Sequence, residues 1–203
     1  MAGAPDSYGV AFRRRVVSRS DLRSQLWPPA TTSLVSISGS SLCYEPTGYL
    51  GGYLVVNTWG RPLEFRLSTA VQPNRVQQIL YGGTLEPYIC ADLIGKTLVE
   101  KTGLPVQLVV TDCAMALDLR LRTDAPVVWL APAGETPAGF GEPVRTATKS
   151  NGAVFAHQRH PEDRPVTREL LRRLEGTLDL AEPLARIREA IGEARKMGVT
   201  KSA

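Results

Sequence analysis

The stretch from Tyr49 to Thr69 constrains the fold more than any other part of the chain. Tyr49–Asn57 is rich in Leu, Val and Tyr, and Leu63-Glu64-Phe65-Arg66-Leu67-Ser68-Thr69 alternates apolar and polar residues. Thr58-Trp59-Gly60-Arg61-Pro62 lies between them. Two β-rich runs around a short turn containing Gly predict a hairpin. Successive strand side chains point to opposite faces, so Leu63, Phe65 and Leu67 share one face and Glu64, Arg66 and Ser68 the other. One side of the hairpin is therefore expected to be wet or to line a cleft.

The segments around this hairpin extend it into a sheet. Leu34–Ser38 alternates as a half-buried strand does. After Pro73, Asn74 is placed to cap a helix over Arg75–Tyr81, which Gly82-Gly83 breaks. Thr84 reads as a fresh cap, with Ile89, Leu93, Ile94, Thr97 and Leu98 at helical spacing up to Gly103. Leu108–Val110 and Val127–Ala131 read as buried strands on either side of a helical Cys113–Arg122, and Ala153–His157 as a further short strand. Toward the end, Thr167 is expected to cap Arg168–Glu175, and Glu182-Pro183 to open a helix over Leu184–Lys196. The last helix carries Leu184, Ile187, Ala190, Ile191 and Ala194 on one face. This order predicts an α/β protein: a single mixed β-sheet with an N-terminal hairpin, βαβ-type units and C-terminal helices.

The 203 residues suffice for one well-buried domain, and the 43% apolar and 22% charged composition is that of an ordinary globular protein. The apolar runs fall far short of the ~20 residues of a spanning helix. The expected organisation is a basic arm over 1–33, one α/β domain over 34–198 with a long Pro/Gly-rich loop at 131–151, and a tail at 199–203. Residues 1–33 carry five Arg against Asp6 and Asp21, a net +3; residues 34–158 net −1, and 159–203 net +2. The overall +4 thus describes the flanks rather than the centre. Cys43, Cys90 and Cys113 are odd in number and widely spaced, unlike a disulfide framework or a zinc site. With no signal-peptide pattern at the start, a reducing cytoplasm is the expected location.

Several motifs fail on their chemistry. Gly95-Lys96-Thr97 resembles the end of a phosphate loop, but Cys90 stands where the first Gly belongs and the residues fall inside a helix. Gly48-Tyr49-Leu50-Gly51-Gly52 leads into a strand, so it lacks the helix N-terminus that holds a pyrophosphate; a bulge or a close backbone approach explains it better. His157, His160, Glu162 and Asp163 read as surface groups rather than zinc ligands, and the cysteines as small buried hydrophobes. No nucleophile emerges: there is no Gly-x-Ser-x-Gly elbow and no His beside a Cys in sequence.

The acidic residues offer more. Asp112 ends a buried strand, where open α/β sheets bind ligands. Glu64 lies on the polar face of the hairpin, and Glu86 opens a helix. Converging, these groups would hold Mg²⁺ or Mn²⁺ and activate water for phosphodiester cleavage. Glu86-Pro87-Tyr88-Ile89, followed by Leu108-Val109-Val110-Thr111-Asp112, makes the chain loosely similar to the ribonuclease H-like arrangement, to which endonuclease V also belongs. That arrangement places an Asp in its first strand, where Tyr53–Asn57 offers only Asn57. The preferred expectation is a cytoplasmic, non-catalytic binding or accessory protein, without cofactor, contacting a protein or a nucleic acid. Its contact elements would be Arg13, Arg14 and Arg15 of the arm, Trp59 and Arg61 at the hairpin tip, and the Ala131–Asn151 loop. Trp59 at the hairpin tip is expected to be exposed; beside Arg61 it would stack on a base or a partner side chain, whereas as a turn residue folded over the sheet, the reading preferred, it would have no such role. The alternative is a metal-dependent phosphodiesterase using Glu64, Glu86 and Asp112.

Overall fold

The hairpin forms where the alternation places it. In the computed structural model, strand β2 (Gly51–Val56) pairs antiparallel with β3 (Pro62–Leu67). The structure describes residues 34–39 as backbone, and 48–132, 140–144 and 152–197 in full. The basic arm with Arg13, Arg14 and Arg15, most of the 131–151 loop, and the tail lie outside the described residues. The turn is held by Asn57, whose Oδ1 accepts the backbone N–H of both Trp59 and Arg61 at 3.0 Å. Gly60 takes φ +75°, a conformation that costs glycine little.

Strand β1 (Leu34–Gly39) lies on the other side of β2, antiparallel to it, and pairs parallel with β4 (Leu108–Thr111). Next come β5 (Val127–Leu130), parallel to β4, and β6 (Val154–Ala156), antiparallel to β5. The result is one six-stranded mixed sheet of order β3-β2-β1-β4-β5-β6. All of β2, β4, β5 and β6 is buried, because helices cover both faces. On one face Leu54, Val56, Leu108, Val110 and Val128 meet α3 (Asp163–Leu174) and α4 (Ala181–Lys196). On the other, Tyr53, Val55, Val109, Val127 and Trp129 meet helix α2 (residues 85–100) and the 3₁₀ segment Ala114–Leu121.

Helix α1 (Arg75–Tyr81) begins at Asn74, in a full capping box: Asn74 Oδ1 accepts Gln77 N–H and Gln77 Oε1 accepts Asn74 N–H. Other helix starts differ from expectation. Thr84 makes no cap; its hydroxyl donates to Tyr81 O, and the chain runs helically through it. Within α2, Tyr88–Gly95 winds as a π-helix, a feature no side-chain period announces. Helix α3 starts at Asp163, and Thr167, expected as its cap, is fully buried in its interior. Among the described residues no helix is long and apolar enough to cross a membrane.

The pair Gly51-Gly52 shows why glycine stands there. Their missing side chains point to opposite faces. A Cβ on Gly51 would run into Ile94 Cγ2 of α2, and one on Gly52 would sit 2.5 Å from Ile187 Cγ2 of α4. Two helices thus approach β2 closely from both sides.

Candidate functional site

Three acidic residues were the candidates for chemistry, and the fold separates them. Glu64 sits mid-β3, where its carboxylate accepts Thr102 Oγ1–H at 2.9 Å and Gly103 N–H at 3.3 Å, and pairs with Arg66. Burial alone would raise its pKa; the bonds from Arg66, Thr102 and Gly103 outweigh that and hold it below the usual carboxylate value. Glu64 is thereby committed to tying the edge strand to the C-terminal end of α2. Glu86 lies in the first turn of the same helix. At 1.5 Å per residue, the helix puts roughly 20 Å between the two carboxylates. They do not share a site.

Glu86 and Asp112, by contrast, come to one end of the sheet. Asp112 follows β4, and Glu86 meets Tyr49 Oη–H at 3.4 Å just ahead of β2, which runs the opposite way. Beneath them Cys90, one turn along α2 from Glu86, touches Cys113, the neighbour of Asp112, with Ala116 completing the cluster. Local bonds fix the strand end: Thr111 Oγ1 accepts Cys113 N–H at 3.1 Å, and Trp129 Nε1–H donates to Asp112 O at 3.3 Å. Arg188 of α4 reaches across to Asp112, Nη1 to Oδ2 at 2.7 Å. Ser36 and Ile37 of β1 pair with Val110 and Thr111, so β1 reaches the same end and, like β2, brings no carboxylate. Among the described residues no group of three or more His, Cys, Asp or Glu is placed to hold a metal ion. The fold thus brings Glu86 and Asp112 to one end of the sheet and leaves Glu64 at the other end of α2.

At the hairpin tip Trp59 is exposed, as its turn position led us to expect, and is not folded over the sheet. Trp59 is 76% exposed, held out by the Asn57 turn, because the sheet faces beneath are already filled by helices. Arg61 is exposed beside it. Arg186 of α4 donates to Gly60 O at 2.8 Å and to Glu182 at 2.7 Å, bracing the turn from behind.

Sequence reasoning missed the surface of α1. Its capping box and helical period were legible, but not the fact that none of its residues is buried. Val76, Ile79 and Leu80, at i, i+3 and i+4, share one face and are 62%, 66% and 75% exposed. The signal was available: the preceding Pro73 and following Gly82-Gly83 detach a short amphipathic helix from the elements on either side.

His157 and Asp118 form a second polar pair, Nε2 to Oδ1 at 3.3 Å, lining an open cleft of about 320 Å³ with Met115, Phe140 and Arg159. His157 Nδ1 accepts Arg159 N–H at 3.2 Å, so both ring nitrogens are engaged. His157 is therefore a tethered, buried histidine rather than the surface group expected, and Asp163 is likewise buried, because the start of α3 and the 3₁₀ segment close over them.

No protein-family model matches the chain, and no curated protein matches its sequence. Solved structures of Ciona intestinalis endonuclease V show a distant likeness. One is a variant bound to a 23mer DNA containing an inosine followed by a ribo-adenosine, at 11% identity and TM-score 0.49. Another is bound to a 24mer of the same description, at 10% identity and TM-score 0.48; in both, 83% of this chain and 87% of that chain are covered. At these values the likeness assigns neither an activity nor a site residue here.

Proposed function

We propose that the chain is a non-catalytic binding or accessory protein, contacting a protein or nucleic-acid partner through α1 and the Trp59 hairpin tip. The observation that carries this reading is the apolar face of α1. A helix of seven residues is too short to persist in water on its own. Leaving Val76, Ile79 and Leu80 exposed forgoes about 1.5–3 kcal/mol for each side chain that burial would recover. Clustered exposed apolar side chains of this kind mark contact surfaces. Trp59, rigidly presented beside Arg61, adds a flat aromatic suited to a base or to a partner side chain.

A photo-crosslinking residue at Ile79, with one at exposed Arg168 as control, tests the first element. An adduct that forms at Ile79 alone, and is lost when Leu80 is replaced by Asp, is the expected result. Oligonucleotide anisotropy with Trp59→Ala tests the second. Absence of both an adduct and oligonucleotide binding refutes the proposal.

A second reading is a metal-dependent phosphodiesterase, favoured by the placement of Glu86 and Asp112 at the same end of the sheet. It predicts Mg²⁺- or Mn²⁺-dependent cleavage abolished by Glu86→Gln and by Asp112→Asn but retained by Glu64→Gln. Such a result would replace the binding proposal.

A further inference from the structure

The contact between Cys90 and Cys113 joins elements that the backbone does not hold together locally. Cys90 sits in the π-wound part of α2, and Cys113 caps the 3₁₀ segment that leaves β4. Both are free thiols, buried to 6% and 4% exposure, and packed on each other with Ala116. The thiols are hydrogen-bonded together, and the N–H groups of Met115 and Ala116 point at Cys113 sulfur from the start of the 3₁₀ segment.

We propose that Cys90 and Cys113 are a redox pair whose disulfide locks α2 to the end of β4. The geometry supplies the requirement of such a pair: two thiols packed on each other across two elements. The oxidant class is a peroxide, small enough to reach a buried pair. Cys113 thiolate attacks one peroxide oxygen, giving the sulfenic acid and hydroxide. Cys90 then attacks that sulfur, the S–S bond forms, and the sulfenic oxygen leaves as water. In total, two thiols and one hydrogen peroxide give one disulfide and two waters. The bond would fix the spacing of Glu86, one turn before Cys90, from Asp112, beside Cys113.

The full-length chain is treated with hydrogen peroxide, denatured in an alkylating agent, and digested without reductant. The expected product is a Cys90–Cys113 linked peptide that dithiothreitol dissolves. The thermal midpoint of the oxidised protein should rise on the order of 5–10 °C, as closure of this loop predicts. Cys43→Ser, which leaves the pair intact, should give the same link. Both thiols remaining alkylatable after treatment, or a link that requires Cys43, overturns the proposal.

Discussion

Arg120 has a side chain only 13% exposed, and it forks onto Asp163, itself 5% exposed, with Nε–Oδ2 at 2.5 Å and Nη2–Oδ1 at 3.1 Å. Its Nη1 also donates to Thr123 O at 2.8 Å. The pair binds the start of α3 to the 3₁₀ segment. Removing one partner strands the other charge in a site with little water, so Arg120→Met should cost about 3–5 kcal/mol in urea unfolding. Asp163→Asn in the same background should recover part of that loss, since the stranded charge is then gone. Glu64 gives the pH-dependent counterpart. Its folded pKa lies below the ordinary 4.5, so its contribution is fully present above that pH and is lost as pH falls through the folded value. The stability difference between the natural chain and Glu64→Gln should therefore be constant near neutrality and shrink as pH drops below 4.5. A difference that grows on acidification would contradict the bonding described. Neither role was legible from spacing, because Arg120 and Asp163 lie 43 residues apart and Glu64 and Thr102 lie 38 apart.

At the scale of elements, the local signals predicted well where they were local. Asn74 and Gln77 cap α1 because three positions bring an amide side chain to each orphan N–H. The β2–β3 hairpin follows from its turn. Strand β3 shows where alternation misleads: Leu63 and Phe65, the apolar face, are each 44% exposed, while the Glu64 side chain on the polar face is 16% exposed. The cause is position. β3 is an edge strand, and the end of α2 covers its polar face more fully than α4 covers the other. Of the two readings of Gly51-Gly52, a bulge or close backbone approach, the structure shows the second, which gives a test. Gly51→Ala or Gly52→Ala should destabilise by about 1–3 kcal/mol, as overpacking does, by pushing α2 or α4 off β2. Trimming Ile94→Ala, which removes the Cγ2 that the new Cβ meets, should relieve Gly51→Ala specifically, and Ile187→Ala Gly52→Ala.

For the molecule as a whole, the sequence by itself determined the class: a mixed α/β sheet with a hairpin, two buried parallel strands and closing helices. It did so because side-chain period, glycine, proline and caps act over a few residues, and each element declares itself locally. It also placed Asp112 at a strand end and Glu86 at a helix start. What only the tertiary structure decided is which of these meet. Sheet order puts β1 between β2 and β4, a pairing across more than sixty residues in the chain that no local pattern specifies. That choice brings Glu86, Asp112, Cys90 and Cys113 to one end and carries Glu64 to the other end of α2. Burial is likewise collective. Helices on both faces of the sheet leave no room for the apolar side of α1, so residues that look like core by composition become surface by exclusion.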